Sequence, residues 1–298
     1  MVVPAAGGAR PARRARPAWG PGTRGPAVWG EVTPAERLRA ITRRTLGDGA
    51  LAAEAADALA GFASEPASLV VACRRVLSHH RAHGTLWWVC ARILAAAEPA
   101  TAARDAARRI EEDPTPRRLA AALPLVDDGE VVAVVGWSDA LDAALAERAD
   151  LPVLALQAAA APPGGPGRGP LRRAVEVVGT SEPVPGRVAR LLVAADAIGP
   201  TGALVPAGTG EVLAGAGRAA GAVWLVGGVG RVLPGRLFDA LVAACVPSGA
   251  ADADGSPHEV VALEQFDRVA GPHGVEAPVD AVARVDCPVA PELLRPLD

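Results

Sequence analysis

Tyrosine is absent from this 298-residue chain, phenylalanine occurs three times and methionine once. Lysine is missing too, so arginine supplies the permanent positive charge. Aromatic residues make up 3% of the sequence and the apolar set 50%, so Ala, Val and Leu must build the core of a folded, globular protein. This bias, with 33 Gly and 28 Pro, fits a GC-rich coding sequence and carries no functional message. It also weakens helix assignment from propensity, because alanine is common everywhere. Cysteine is scarce as well: Cys73, Cys90, Cys245 and Cys287 are widely spaced, form no C-x-x-C pair and lie mostly in apolar contexts. That argues against a disulfide framework and points to a reducing cytoplasm. A formal net charge of −3 offers no general attraction to nucleic acid. No apolar run is long enough to span a bilayer, the best being "LPVLALQAAAA", so no membrane association is expected.

Three regions follow. Residues 1–32 hold arginines and no acid before Glu31, lack both a continuous apolar stretch and serine, and read as a disordered basic arm or an over-extended start. Residues 33–125 read as an all-helical domain. "TPAERLRAITRRTL" begins with Thr33 as N-cap, Pro34 at the first helical position and Glu36 three residues after the cap, a capping box. "LAAEAADALAGFA" puts Leu51, Ala55, Leu59 and Phe62 on one face. "SLVVACRRVLSHHRAHGTLWWVCARILAAAE" carries the helical period from Leu69 through His80 and Gly84 to Trp88.

From residue 126 to 298 the pattern changes. "GEVVAVVG", "LPVLALQ", "AVEVVG", "RLLVAAD", "AVWLVGG" and "HEVVALE" are short apolar runs, several separated by helical segments such as "SDALDAALAERAD". Such alternation implies a Rossmann-like, doubly wound α/β domain with a parallel sheet covered on both faces. "AAAAPPGGPGRGP", residues 158–170, is expected to be an irregular surface loop.

Ligands of open parallel sheets bind beyond the carboxyl ends of strands. Three such ends carry chemistry: Gly136 and Ser138 after "VVAVV", Asp196 after "RLLVAA", and Gly227, Gly228, Gly230 and Arg231 after "VWLV". Ser138 could equally cap the following helix. Gly208, Thr209 and Gly210 open a further helix, whose N-terminus would welcome an anion such as phosphate, with Arg231 as a nearby cation; Thr209 reads as readily as an ordinary cap. "GGVGRV" lacks G-x-G-x-x-G spacing, and no cofactor is expected. His79, His80 and His83 have no H-E-x-x-H pattern and no matching acid, so no metal is expected either. No G-x-S-x-G elbow accompanies Ser138.

The stretch "LLVAADAIGPTGALVPAGTGEVLAGAGRAAGAVWLVGGVGRVLP" resembles the alpha, beta and delta regulatory subunits of eukaryotic initiation factor 2B. It is similar also to their relatives methylthioribose-1-phosphate isomerase and ribose-1,5-bisphosphate isomerase. Asp196 matches the acid of their Gly-Ala-Asp, Gly208 and Thr209 match a Gly-Thr that opens a helix, and Arg231 stands where a Lys often falls. Ser138 matches the Ser-rich turn after their first strand, and helical-then-Rossmann domain order agrees. The resemblance implies a homodimer and a phosphorylated small-molecule partner bound near Gly136, Ser138, Gly208, Thr209, Gly210 and Arg231. In the isomerases a Cys after the first strand works with that Asp to move protons; Gly136 stands at the Cys position here. Pro206 and Ala207 replace an Asn-Lys, and the Glu-x-Arg-Pro loop has no counterpart in "LALQAAAAPPGG". Three functions stay open: regulatory binding of a phosphorylated sugar or nucleotide at a reduced catalytic site, aldose–ketose isomerisation using Asp196 as its catalytic residue, or a structural scaffold.

Overall fold

A computed structural model describes residues 33–41, 47–157, 176–179, 187–215, 221–246 and 256–297. The basic arm and the Gly/Pro-rich segment 158–170 lie outside the described residues. Among these residues six helices come first: α1 (Pro34–Ile41), α2 (Asp48–Ala60), α3 (Pro66–His79), α4 (Gly84–Leu94), α5 (Pro99–Glu111) and α6 (Thr115–Ala122). The capping box forms as expected, the Glu36 carboxylate accepting from the Thr33 N–H at 2.9 Å and the Thr33 hydroxyl from the Glu36 N–H at 3.3 Å. Alanine on facing surfaces, Ala52, Ala55 and Ala56 of α2 and Ala103, Ala106 and Ala107 of α5, allows close helix approach. Nearly every residue of α4 from Gly84 to Ile93 is buried, which makes it the central helix of the layer.

The long helical run after Ser68 is broken between His79 and Gly84, where the structure departs from the sequence period. His83 caps α4, and a β-carbon on Gly84 would collide with the Asp196 carbonyl oxygen. The break lets the start of α4 press against the end of a strand.

The strands are β1 (Glu130–Val135), β2 (Val153–Gln157), β3 (Glu176–Gly179), β4 (Arg187–Ala194), β5 (Ala197–Ile198), β6 (Gly202–Pro206), β7 (Val223–Val226), β8 (His258–Ala262), β9 (Arg268–Gly271) and β10 (Gly274–Glu276). Between them lie α7 (Asp139–Glu147), α8 (Thr209–Gly215) and α9 (Gly235–Cys245), with α10 (Pro278–Ala283) following β10. A seven-stranded sheet has the order β10-β9-β7-β4-β1-β2-β3, parallel except for β10. Alternate residues face opposite cores. Ala133, Val135, Leu191, Val193 and Leu225 pack with α8 and α10; Val132, Val134, Leu192, Trp224 and Val226 pack with α6 and α7. Burial on both faces explains the unbroken apolar runs.

"HEVVALE" does not join that sheet. As β8 it pairs antiparallel with β6, in a second sheet of order β5-β6-β8. Among the described residues it is an edge strand, and Val260 on it is 44% exposed.

A third core joins the helical layer to the α/β part, uniting α2–α5 with Ala197, Leu204, Leu233, Leu237, Phe238 and Leu241. The described residues from Thr33 onward thus pack as one unit. The C-terminal segment crosses the helical layer, burying Cys287, Ala290 and Leu293 in the same core. Arg74 of α3 donates to the carbonyls of Glu292 at 3.2 Å and Arg295 at 3.3 Å, and also to that of Pro296. No helix among the described residues is long and apolar enough to cross a membrane.

Candidate functional site

The chain runs from β1 outward to β3, then returns to place β4 on the other side of β1. The carboxyl ends of β1 and β4 therefore flank the topological switch point, where open α/β sheets hold ligands. Gly136–Ser138 follow β1, Ala195–Asp196 follow β4 and Gly227–Arg231 follow β7; the starts of α2 and α4 and the end of α5 close over them.

Arg231 is the centre of this region and is 5% exposed. One guanidinium nitrogen donates to the Asp196 carbonyl oxygen at 2.7 Å and lies 3.6 Å from its carboxylate. The other nitrogen meets the Asp48 carboxylate at 2.5 Å. The Asp196 carbonyl also accepts from the Gly84 N–H at 2.9 Å. The far oxygen of the Asp196 carboxylate lies 3.2 Å from His258 Nε2. Asp196 is therefore held from three directions by α4, Arg231 and β8.

His83 is buried against the same group. Its Nδ1 accepts from the Leu86 N–H at 3.4 Å and its Nε2 donates to the Asp48 carbonyl at 3.1 Å, an arrangement that suits a neutral ring. Burial pushes its pKa down to about 4. At Asp48 burial acts to raise the pKa, and the charge and hydrogen bond of Arg231 prevail and hold the carboxyl below its ordinary value.

A cleft of about 370 Å³ opens here, and Ser138 and Arg231 both line it. Gly136, Asp196, Gly208, Thr209 and Gly210 are not among its lining residues. Gly136, at φ +70°, is packed against Pro206: an added β-carbon would lie 2.6 Å from Pro206 Cγ. Gly208 turns the chain at φ +84° into α8. Thr209 is fully buried and donates its hydroxyl proton to the Pro206 carbonyl at 2.6 Å. Ser138 caps α7, accepting from the Leu141 N–H at 3.3 Å. The candidate residues thus fall into two groups bridged by Asp196, with Ser138 and Arg231 in the cleft and Gly136 packed on the turn that leads into α8.

Residues the sequence did not single out decide the electrostatics. Asp48, Glu111, Asp113, Asp139 and Asp142 line the cleft, and among the described residues Arg231 is its single cationic lining residue. Three backbone donors around the region are held by the chain's own carboxylates. The Gly49 N–H donates to Asp139 at 2.9 Å, the Val229 N–H to Asp113 at 2.9 Å, and the Gly210 N–H to Glu259 at 2.7 Å. Glu259 takes the place at the start of α8 that the sequence offered to a phosphate. No group of three or more His, Cys, Asp or Glu among the described residues is arranged to hold a metal ion.

Fold and site together define a Rossmann-like α/β protein with an N-terminal helical layer. Among solved structures this fold is that of the eIF2B subunits and of a sugar-phosphate isomerase. The chain matches a tetrameric eIF2B-beta2-delta2 complex from C. thermophilum with 14% identity over 84% of this chain and 92% of that chain, at a TM-score of 0.60. It matches the translation initiation factor eIF-2B of Pyrococcus horikoshii OT3 with 16% identity over 84% and 98%, at 0.59. The 5-methylthioribose 1-phosphate isomerase of P. horikoshii OT3 matches with 14% identity over 85% and 86%, at 0.56. At these identities the likeness is one of fold. No family model matches the sequence, and no curated protein does.

Proposed function

We propose that the chain is a non-catalytic relative of the initiation factor 2B regulatory subunits, working in the cytoplasm as a structural, assembly-forming subunit. Of the three functions left open by the sequence, the geometry favours the structural one. The observation that carries this reading is the filling of the Gly49, Val229 and Gly210 N–H groups by Asp139, Asp113 and Glu259. A sugar phosphate entering here would have to displace carboxylates from those donors and would meet further negative charge in the cleft. Isomerisation also needs one group to remove a proton and a path to return it. Asp196 is tied to Arg231 and His258, and Gly136 supplies no thiol.

The partner this reading implies is a second copy of the chain. β8 offers a route to it. Residues 259, 261 and 263 pair with β6, so the N–H and C=O of Val260 point to the open edge. Two such edges can pair antiparallel about Val260, a self-complementary two-fold contact.

Two measurements test the proposal. With 5-methylthioribose 1-phosphate as substrate, no ketose product is expected, and analytical ultracentrifugation should give a dimer mass. Turnover that disappears in Asp196→Asn would overturn the non-catalytic reading. A monomer at all accessible concentrations would overturn the assembly reading.

A further inference from the structure

A second cleft, of about 340 Å³, lies at the carboxyl ends of β7 and β9, bounded by the end of α5, the start of α6 and α10. Gly228 and Val229 line both clefts. Its floor is apolar, with Val229, Val232, Val269 and Ala281. Its rim carries Arg109, Arg118, Arg284 and His273 on the basic side, and Glu112, Glu276 and Asp286 on the acidic side.

Pairing sorts these charges. Arg109 is bound to Asp286 at 2.5 Å, and Asp286 also accepts from Trp88 Nε1 at 3.0 Å. Arg284 is bound to Glu276 at 2.9 Å. Glu112 is bound at 3.1 Å to Arg108, which does not line the cleft. Each acid of the rim is thus neutralised by an arginine. Arg118 is left with its guanidinium free of any partner among the described residues, and His273 stands beside the same opening. The neighbouring cleft has the reverse balance, five acids and an arginine already paired with Asp48. An anion entering the region is repelled from one cleft and finds an uncommitted cation in the other.

We propose that this second cleft binds a small molecule with an apolar body and a single anionic head, a carboxylate or phosphate monoester. Arg118 grips the head and the body covers the valine floor. The planar fork of arginine suits either head, since both offer two oxygens to parallel N–H donors. An apolar cavity with a few convergent polar groups is the usual form of such a site. This inference is independent of the non-catalytic reading, because it uses a different cleft and none of Asp196, Arg231 or Glu259.

The test uses the full chain, with hexanoate and phenyl phosphate as anionic probes and hexylamine as a cationic control, followed by calorimetric titration. Saturable binding of at least one anionic probe at millimolar concentration is expected, and its identity assigns the head group. Arg118→Ala should weaken that binding at least about tenfold, as expected for loss of a charge-assisted contact. Arg118→Gln, which keeps a polar side chain on the same exposed helix face, should weaken it similarly, while Arg117→Ala should leave it unchanged. Absence of binding by both anionic probes would overturn the proposal. So would undiminished binding in both Arg118 variants, or hexylamine binding as well as the anions.

Discussion

His83 is a histidine kept neutral by burial, so its chemistry is read in the pH dependence of stability. Its pKa in the folded chain is about 4, against about 6.5 for an unfolded histidine. Between those values the unfolded chain binds a proton that the folded one refuses. Stability is therefore full above about pH 6.5 and falls as pH drops towards 4, by on the order of 3 kcal/mol. Asp48 acts in the same direction: its carboxyl is held below its ordinary value, so the stability it contributes is lost on further acidification. Urea midpoints between about pH 7 and about pH 4.5 should fall steeply in the natural chain and less in His83→Gln. An equal fall in both would remove His83 as the cause. At this scale the sequence was half legible. Asp196 announces itself as an acid ending an apolar strand, and Arg231 as a cation beyond another. Their partners do not, because Asp48 joins Arg231 across 183 positions and His258 reaches Asp196 from a different sheet. Local periodicity carries no trace of such long-range pairing.

Elements were more legible where both neighbours and both faces repeat one pattern. The parallel strands of the main sheet are buried on two sides, and their unbroken apolar runs say so. β8 has the same kind of run yet pairs antiparallel at an edge, because composition alone does not set strand direction. The interruption before α4 was hidden because the helical period continues on either side of it. Contact of α4 with Asp196, not local propensity, places the break. The Gly136 turn illustrates how element geometry limits the site. With φ at +70° and Pro206 Cγ 2.6 Å from where a β-carbon would stand, the turn accepts glycine alone without rearrangement. Gly136→Ala should cost about 1–3 kcal/mol in urea unfolding, from backbone strain and overpacking together. Adding Pro206→Ala should return the overpacking share and leave the backbone share. A neutral Gly136→Ala would show that the turn is looser than this packing implies.

For the molecule as a whole, the sequence separates a helical region from an α/β region. The third core couples the two regions, since α4 shares it with Leu204, Leu237 and Phe238 of the α/β part. Residues 33–298 should unfold in one cooperative transition, with fluorescence and circular dichroism reporting the same midpoint. A fragment of residues 33–125 should fail to give a cooperative melt, because its apolar inner surface would face water. Two separated transitions, or a stable fragment, would show that the regions fold independently.

Arg74 gives this architecture a direction in time. The helix that begins at Pro66 is translated long before Glu292, Arg295 and Pro296, yet those three carbonyls are what its arginine holds. Leu293 fills the same core from more than two hundred positions further along. The first layer to leave the ribosome must therefore wait, incomplete, for residues 287–296 to emerge. Removing that segment would take away part of the layer with which the fold begins.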